Sequence, residues 1–248
     1  MKPDLPHSSP VLSRRALMRL SGATAVSIGA AGLQWSHRAL AANPSPRPAS
    51  SRDPDEILRG LLEGNKRFAA GQPTAPRRRP EDFAALAQGQ TPAAVVVGCA
   101  DSRVPVEITF DQGVGDMFVV RVAGNMVSNA GFVVKGSIEY AVLELGAPLI
   151  VVLGHSGCGA VKAALKHIEA KDALPGSLNA LVSMLKPVVA KVKGKPGDPL
   201  DNAIRANVEA GVDRLRTLEP ILAPAVKRQR LKVVGGVYDL SSGRVAML

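Results

Sequence analysis

Short apolar runs alternate along the chain with longer segments in which apolar residues recur every three to four positions. The short runs are mostly apolar on both alternating sides, which is typical of strands buried on both faces of a parallel sheet. The longer segments have the spacing of helices with one buried face. Strand-like runs occupy residues 93–99, 117–124, 148–156 and 231–240, and helix-like segments occupy residues 53–71, 81–89, 131–146, 159–170, 177–193 and 201–217. The order of these elements predicts an α/β fold with a mostly parallel central sheet of four to five strands, flanked by helices.

The N-terminal segment has a different character. A twin arginine, Arg14–Arg15, precedes an apolar run over residues 22–33 and the small-residue sequence ALA at 39–41. This order is typical of a cleaved signal peptide, and the arginine pair resembles the twin-arginine export signal. A membrane anchor is the alternative, but a spanning helix needs about 20 apolar residues, so we expect no stable anchor.

This interpretation divides the chain into three parts. We expect a signal peptide over residues 1–41 with cleavage near Ala41, a Pro- and Ser-rich linker over residues 42–52, and one folded domain over residues 53–248. The expected location is the periplasm or another extracytoplasmic compartment.

The chain is basic, with a formal net charge of +10. Its basic clusters lie at residues 76–80 and 227–230, and no aromatic residues are interleaved with them. Surfaces that bind single-stranded nucleic acid usually combine positive charge with aromatic stacking. The clusters therefore predict solvated surface, and we expect no nucleic-acid partner.

Unusual polar residues follow two of the strand-like runs. Cys99, Asp101 and Arg103 come at alternate positions after the first run, so Cys99 and Asp101 share one side of an extended segment. His155 and Cys158 lie where the third run turns into a helix. The carboxyl ends of parallel strands meet at one edge of the sheet, and these side chains are of the types that bind zinc. The pattern predicts a metal site at that edge.

A disulfide between Cys99 and Cys158 is the alternative, since exported proteins often contain disulfides. It leaves the Asp–x–Arg sequence after the first cysteine unexplained. A redox pair is less favoured, because the chain has no C-x-x-C motif.

The segments CADSRVP at 99–105 and GHSGCGAVKAAL at 154–165 resemble the two signature segments of the β-class carbonic anhydrases. The similarity continues through LLEGNKRF, FDQGVGDMFVVRVAGN, SIEYAVLELG and VVGGVYDL, and it covers nearly everything from residue 53 onward. It implies that the protein hydrates carbon dioxide reversibly to bicarbonate and a proton, with one zinc ion per chain. Zinc lowers the pKa of a bound water from about 15.7 to near 7 and so provides the attacking hydroxide.

The resemblance also assigns roles to individual residues. It implies that Cys99, His155 and Cys158 hold the zinc. Asp101 is then either a fourth ligand or the partner of Arg103, and these two residues are the catalytic pair.

The substrate pocket that the resemblance implies is lined by Gln90, Phe118, Tyr140 and the backbone of Gly159. It further implies a homodimer or a higher homo-oligomer with active sites near the interface. Regulated members of the family carry a Trp three residues before the first cysteine. This chain has Val96 there, so we expect no inhibition by bicarbonate of the regulated kind.

Two other functions compete with carbon dioxide hydration. The same fold and zinc site can act on carbon disulfide or carbonyl sulfide, and the sequence separates these substrates poorly because all need an activated water and a narrow apolar pocket. A non-catalytic module with a structural zinc is the other alternative. The retention of Asp101 and Arg103 argues against it.

Overall fold

A computed structural model describes residues 53–128, 130–170, 172 and 174–248, and the predicted signal peptide and linker lie outside these ranges. The described part contains a five-stranded sheet with the order β2-β1-β3-β4-β5. The strands are β1 (Ala94–Cys99), β2 (Met117–Val122), β3 (Leu149–His155), β4 (Lys232–Tyr238) and β5 (Val245–Met247). The first four are parallel, and β5 runs antiparallel to β4. The predicted α/β fold with a mostly parallel sheet is thereby confirmed.

Eight α-helices and one 3₁₀ turn accompany the sheet in the described residues. They are α1 (Pro54–Ala69), α2 (Pro80–Ala84), α3 (Val106–Thr109), the 3₁₀ turn (Ala123–Asn125), α4 (Gly131–Leu143), α5 (Gly159–Ala170), α6 (Ser177–Val192), α7 (Pro199–Arg216) and α8 (Leu222–Lys227). The helix predicted over 81–89 is shorter than expected, and α3, α8 and the 3₁₀ turn were not predicted. Within these ranges, none of the helices combines the length and apolarity needed to cross a bilayer.

The sheet is covered on both faces, as its mostly apolar strands predicted. Val95 and Val97 of β1 point into one apolar layer, which α4 and α7 complete. Val96 points into the opposite layer with Phe110 and residues of α1. All six residues of β1 and all seven of β3 are buried, so both strands are fixed firmly at the centre of the fold.

A buried carboxylate, Asp111, fastens the loop after α1 to the rest of the domain. It accepts hydrogen bonds from Arg67 Nε (2.8 Å), Thr74 N (2.9 Å), Thr74 Oγ1 (2.8 Å) and Ala75 N (2.8 Å). The basic cluster at residues 76–80 was predicted to be solvated surface. Arg77 departs from this prediction, because its side chain is only 14% exposed and pairs with Asp116.

Asp111 makes stability depend on pH. Burial raises its pKa, but the hydrogen bonds from Thr74, Arg67 and Ala75 outweigh burial and lower the pKa from 3.8 to about 2. The carboxylate therefore stabilises the fold above about pH 4, and this contribution is lost as the pH falls toward 2.

We expect Asp111→Asn to lower the free energy of unfolding at pH 7 by about 1–3 kcal/mol, and to flatten its decline between pH 4 and 2. Urea unfolding across this pH range measures both effects. Asp213→Asn, at an exposed position, is the control. An unchanged pH profile in the Asp111 variant would contradict the assignment.

Candidate metal centre

Three side chains from two strand ends meet at the carboxyl edge of the sheet. Cys99 ends β1, His155 ends β3, and Cys158 directly precedes α5. Since β1 and β3 are parallel neighbours paired up to Gly98 and Leu153, their carboxyl ends lie next to each other. The two sulfurs and a ring nitrogen of His155 lie within 4.8 Å of one another, and all three residues are buried.

The imidazole of His155 is oriented toward the two sulfurs. Its Nδ1 lies 3.0 Å from the Ser156 carbonyl oxygen, which accepts the hydrogen bond when the proton is on Nδ1. Nε2 is then an acceptor, and it is buried without a hydrogen-bond partner among the described residues. Buried polar atoms are nearly always paired, so this nitrogen, facing two thiols, fits a metal ligand.

Backbone N–H groups donate hydrogen bonds to both sulfurs and so stabilise the thiolate form. Cys99 Sγ accepts hydrogen bonds from Gly124 N (3.2 Å) and Asp101 N (3.4 Å), and backbone N–H groups at the start of α5 reach Cys158. The hydrogen bond from Cys158 lowers the pKa of Cys99, and the same contact, together with burial, raises the pKa of Cys158. A bound dication favours the thiolate form of both sulfurs.

Both cysteines are free thiols, so the structure does not contain the alternative disulfide. A buried Cys₂His set is one of the common donor sets for zinc. The residues present fit that metal.

Asp101 lies beside this trio and is clasped by Arg103. Its Oδ1 accepts hydrogen bonds from Arg103 N (2.9 Å) and Nε (2.9 Å), and its Oδ2 accepts one from Nη2 (2.7 Å). The side-chain hydrogen bond from Arg103 holds the pKa of this carboxyl well below its usual range, so it is ionised. Oδ2 is 3.9 Å from His155 Nε2. Asp101 thus contacts Arg103 beside the predicted ligands, and its role as a fourth ligand or as the partner of Arg103 stays a prediction.

Two further residues, not predicted from the sequence, contact this centre. Arg121 of β2 donates from Nε to the Cys99 carbonyl (2.9 Å) and from Nη2 to the Asp101 carbonyl (2.6 Å). Gly124, in the 3₁₀ turn after β2, donates to the Cys99 sulfur. A glycine close to the end of a strand is a signal of close backbone approach, but it does not reveal which group lies near it.

The four predicted pocket residues do not gather in one place. Gly159 begins α5 directly after Cys158 and is exposed beside the trio. The rings of Phe118 and Tyr140 contact each other, with centroids 6.2 Å apart.

Phe118 is nevertheless distant from the trio, because it pairs with Val95, whereas Cys99 pairs with Val122. These four positions correspond to about 13 Å along the strand. Gln90 is exposed and precedes β1, at the amino edge of the sheet. Of these four predicted pocket residues, only Gly159 lies near the metal ligands of its own chain.

Comparisons with known proteins agree with this geometry. Residues 94–245 match the family described as carbonic anhydrase. A carbonic anhydrase of Mycolicibacterium smegmatis is 42% identical over 195 residues, which are 79% of this chain and 93% of that protein. One of Pseudomonas aeruginosa is 38% identical over 197 residues, 77% of this chain and 87% of that protein.

Solved structures extend the likeness to the fold. A structure of tetrameric β-carbonic anhydrases from Sordaria macrospora superimposes with a TM-score of 0.61 at 31% identity, covering 78% of this chain and 97% of that one. The family match extends from β1 to the start of β5. The structural match covers 97% of the Sordaria chain. This chain therefore belongs to the β-class carbonic anhydrases.

Proposed function

We propose that the protein hydrates carbon dioxide reversibly to bicarbonate and a proton, using one zinc ion per chain held by Cys99, His155 and Cys158. The observation that carries the proposal is the buried, unpartnered Nε2 of His155 directed at two free thiols. When bound, zinc supplies the Lewis acidity that makes water a nucleophile at neutral pH.

The residues around the ligands keep them in place. The Ser156 carbonyl fixes the imidazole ring, so that Nε2 is directed at the sulfurs. Arg121 binds the carbonyls of Cys99 and Asp101 and ties the loop after β1 to the neighbouring strand β2. Such outer contacts orient metal ligands and typically change metal affinity or activity about 10–100-fold when lost.

Asp101 is the residue that orients water. Its Oδ1 is occupied by two donors of Arg103, whereas Oδ2 receives one and retains acceptor capacity on the side of His155. An ionised carboxylate in that place accepts a hydrogen bond from water and holds its proton away from the carbon under attack. The guanidinium keeps the carboxylate at this distance through paired, charge-assisted hydrogen bonds.

The backbone N–H of Gly159 is the hydrogen-bond donor that binds the substrate. Its N–H belongs to the first turn of α5, where backbone N–H groups have no partner within the helix. A carbon dioxide oxygen that develops negative charge can accept a hydrogen bond from it.

The protein functions as a homo-oligomer in this proposal. Phe118 lies on the edge strand β2. On α4, three large apolar side chains are exposed: Tyr140 (48%), Phe132 (84%) and Leu143 (61%). A second copy that covers this apolar face can carry the distant pocket residues toward the partner's metal centre. The tetrameric state of the Sordaria proteins supports an assembly. Sedimentation velocity tests this, and a fully active monomer would contradict it.

Export by the twin-arginine route is also part of the proposal. It is supported by the Arg14–Arg15 pair and the small residues before Ala42. The N-terminal sequence of the protein recovered from the extracytoplasmic fraction tests it, because an intact first segment would exclude cleavage near Ala41.

The substrate is tested by offering carbon dioxide, carbonyl sulfide and carbon disulfide, each in solution, to one preparation of the zinc protein. We expect rapid hydration of carbon dioxide in a stopped-flow pH-indicator assay, and much slower turnover of carbonyl sulfide and carbon disulfide. The zinc-depleted protein is the blank. Faster turnover of carbonyl sulfide or carbon disulfide would make that compound the substrate instead of carbon dioxide. Bound zinc without turnover of any of the three would favour a non-catalytic module with a structural zinc.

A further inference from the structure

The buried face of α7 carries one polar side chain among apolar ones. Its buried residues are Ala203, Ile204, Asn207, Val208, Gly211, Val212 and Leu215. Asn207 is only 7% exposed. A buried amide costs free energy unless it is hydrogen-bonded, so its partner reveals what it does at this position.

That partner lies in the metal centre. Asn207 Nδ2 donates a buried hydrogen bond of 2.8 Å to the carbonyl oxygen of Gly124. The N–H of the same glycine donates to Cys99 Sγ at 3.2 Å. One glycine therefore connects the amide of α7 with a ligand sulfur at the end of β1.

The backbone at Gly124 needs an anchor of this kind. Its φ is +73°, and the next residue, Asn125, has a φ of +42°, so two successive residues have left-handed backbones. A Cβ at Gly124 would lie 3.3 Å from Ala160 Cβ and 3.4 Å from Leu185 Cδ1. A residue with a side chain would therefore be crowded at this position, and the turn depends on glycine. Left-handed residues usually occur singly, because this conformation is unfavourable for residues other than glycine. Two in succession persist only when contacts from outside the turn hold them in place.

We infer that Asn207 is a positioning residue of the metal centre: it fixes Gly124 so that the N–H of this glycine points at the Cys99 sulfur. The hydrogen bond holds the sulfur in its ligating position and draws charge from it. This inference rests on the proposed zinc site, and it adds a residue on α7 that touches neither metal nor substrate.

Asn207→Leu tests the inference, because it removes the amide and keeps a side chain of similar size. Asn65→Leu is the matched control. Asn65 is also a buried helical asparagine, 4% exposed, and it donates to the carbonyls of Thr109 (3.0 Å) and Gly243 (2.9 Å), away from the ligands. Both variants lose buried hydrogen bonds to backbone carbonyls, but only one of those carbonyls belongs to the metal centre.

The readouts are the zinc dissociation constant, from competition with a chelating dye, and the thiolate-to-metal absorption of the cobalt-substituted protein. We expect Asn207→Leu to weaken zinc binding about tenfold or more and to shift the cobalt–thiolate band. Asn65→Leu should lower the unfolding temperature but leave zinc affinity within about twofold and the band unchanged. If either leucine variant fails to fold, Asn207→Ala and Asn65→Ala take their places.

Two outcomes overturn the inference and differ in what else they affect. Wild-type zinc affinity and an unchanged cobalt band in the Asn207 variants would make Asn207 a structural residue only, and the proposed zinc site would stand. A wild-type protein that binds no zinc would remove the proposed site and this inference together.

Discussion

His155→Ala is expected to release zinc and to lower the rate of carbon dioxide hydration by at least about a thousandfold, or about 4 kcal/mol in the activation free energy. His155 is the only nitrogen donor in the buried trio, and its Nε2 has no other partner among the described residues. Two cysteines alone leave an incomplete ligand set for zinc. Metal analysis after dialysis and stopped-flow hydration measure the two losses.

His167→Ala is the matched control, since His167 is the other histidine in the described domain. It lies on α5, where its Nδ1 is 2.7 Å from Asp172 Oδ1 on the surface. This variant should retain zinc and activity. A His155 variant that keeps one zinc ion per chain and the wild-type rate would remove His155 from the site.

Arg103→Ala is expected to lower hydration at least about a hundredfold while zinc content stays near one per chain. Without the guanidinium, Asp101 is free to turn toward the metal ligands, and its carboxylate is itself a zinc ligand type that closes the site to water. Asp101→Ala should also lose activity and keep zinc, because water binds but is no longer oriented. Arg79→Ala, which removes an 80% exposed arginine near Glu81, is the control.

The double variant separates a coupled pair from two independent residues. Once Asp101 is absent, removing Arg103 should cost little more, because the two act as a unit. Losses that add in free energy would show that Arg103 acts independently of Asp101. An Arg103→Ala enzyme with full activity would show that the clasp has no catalytic role.

The sequence was sufficient to predict the sheet because hydrophobicity alone determines its central strands. Strands β1 and β3 are apolar at nearly every position, because both faces of the sheet are covered. Helices α3 and α8 and the 3₁₀ turn escaped prediction because each is too short for a helical period to appear.

The candidate site divides in the same way. Cys99 and His155 end neighbouring parallel strands, so the topology that brings them together was already implicit in the order of the elements. The link from Asn207 to Gly124 spans 83 residues and depends on the packing of α7, for which the sequence contains no local pattern. The positions of Phe118 and Tyr140 were equally hidden, because a single sequence does not show which surface a second copy covers.

We propose that one zinc ion per chain makes this protein a carbon dioxide hydratase. The most direct measurement is a titration of the metal-free protein with zinc, with the hydration rate followed by stopped flow after each addition. We expect no catalysis without zinc, a linear rise in rate, and a plateau at one equivalent per chain. Full activity in the metal-free protein, or zinc bound to one equivalent without any hydration, would contradict it.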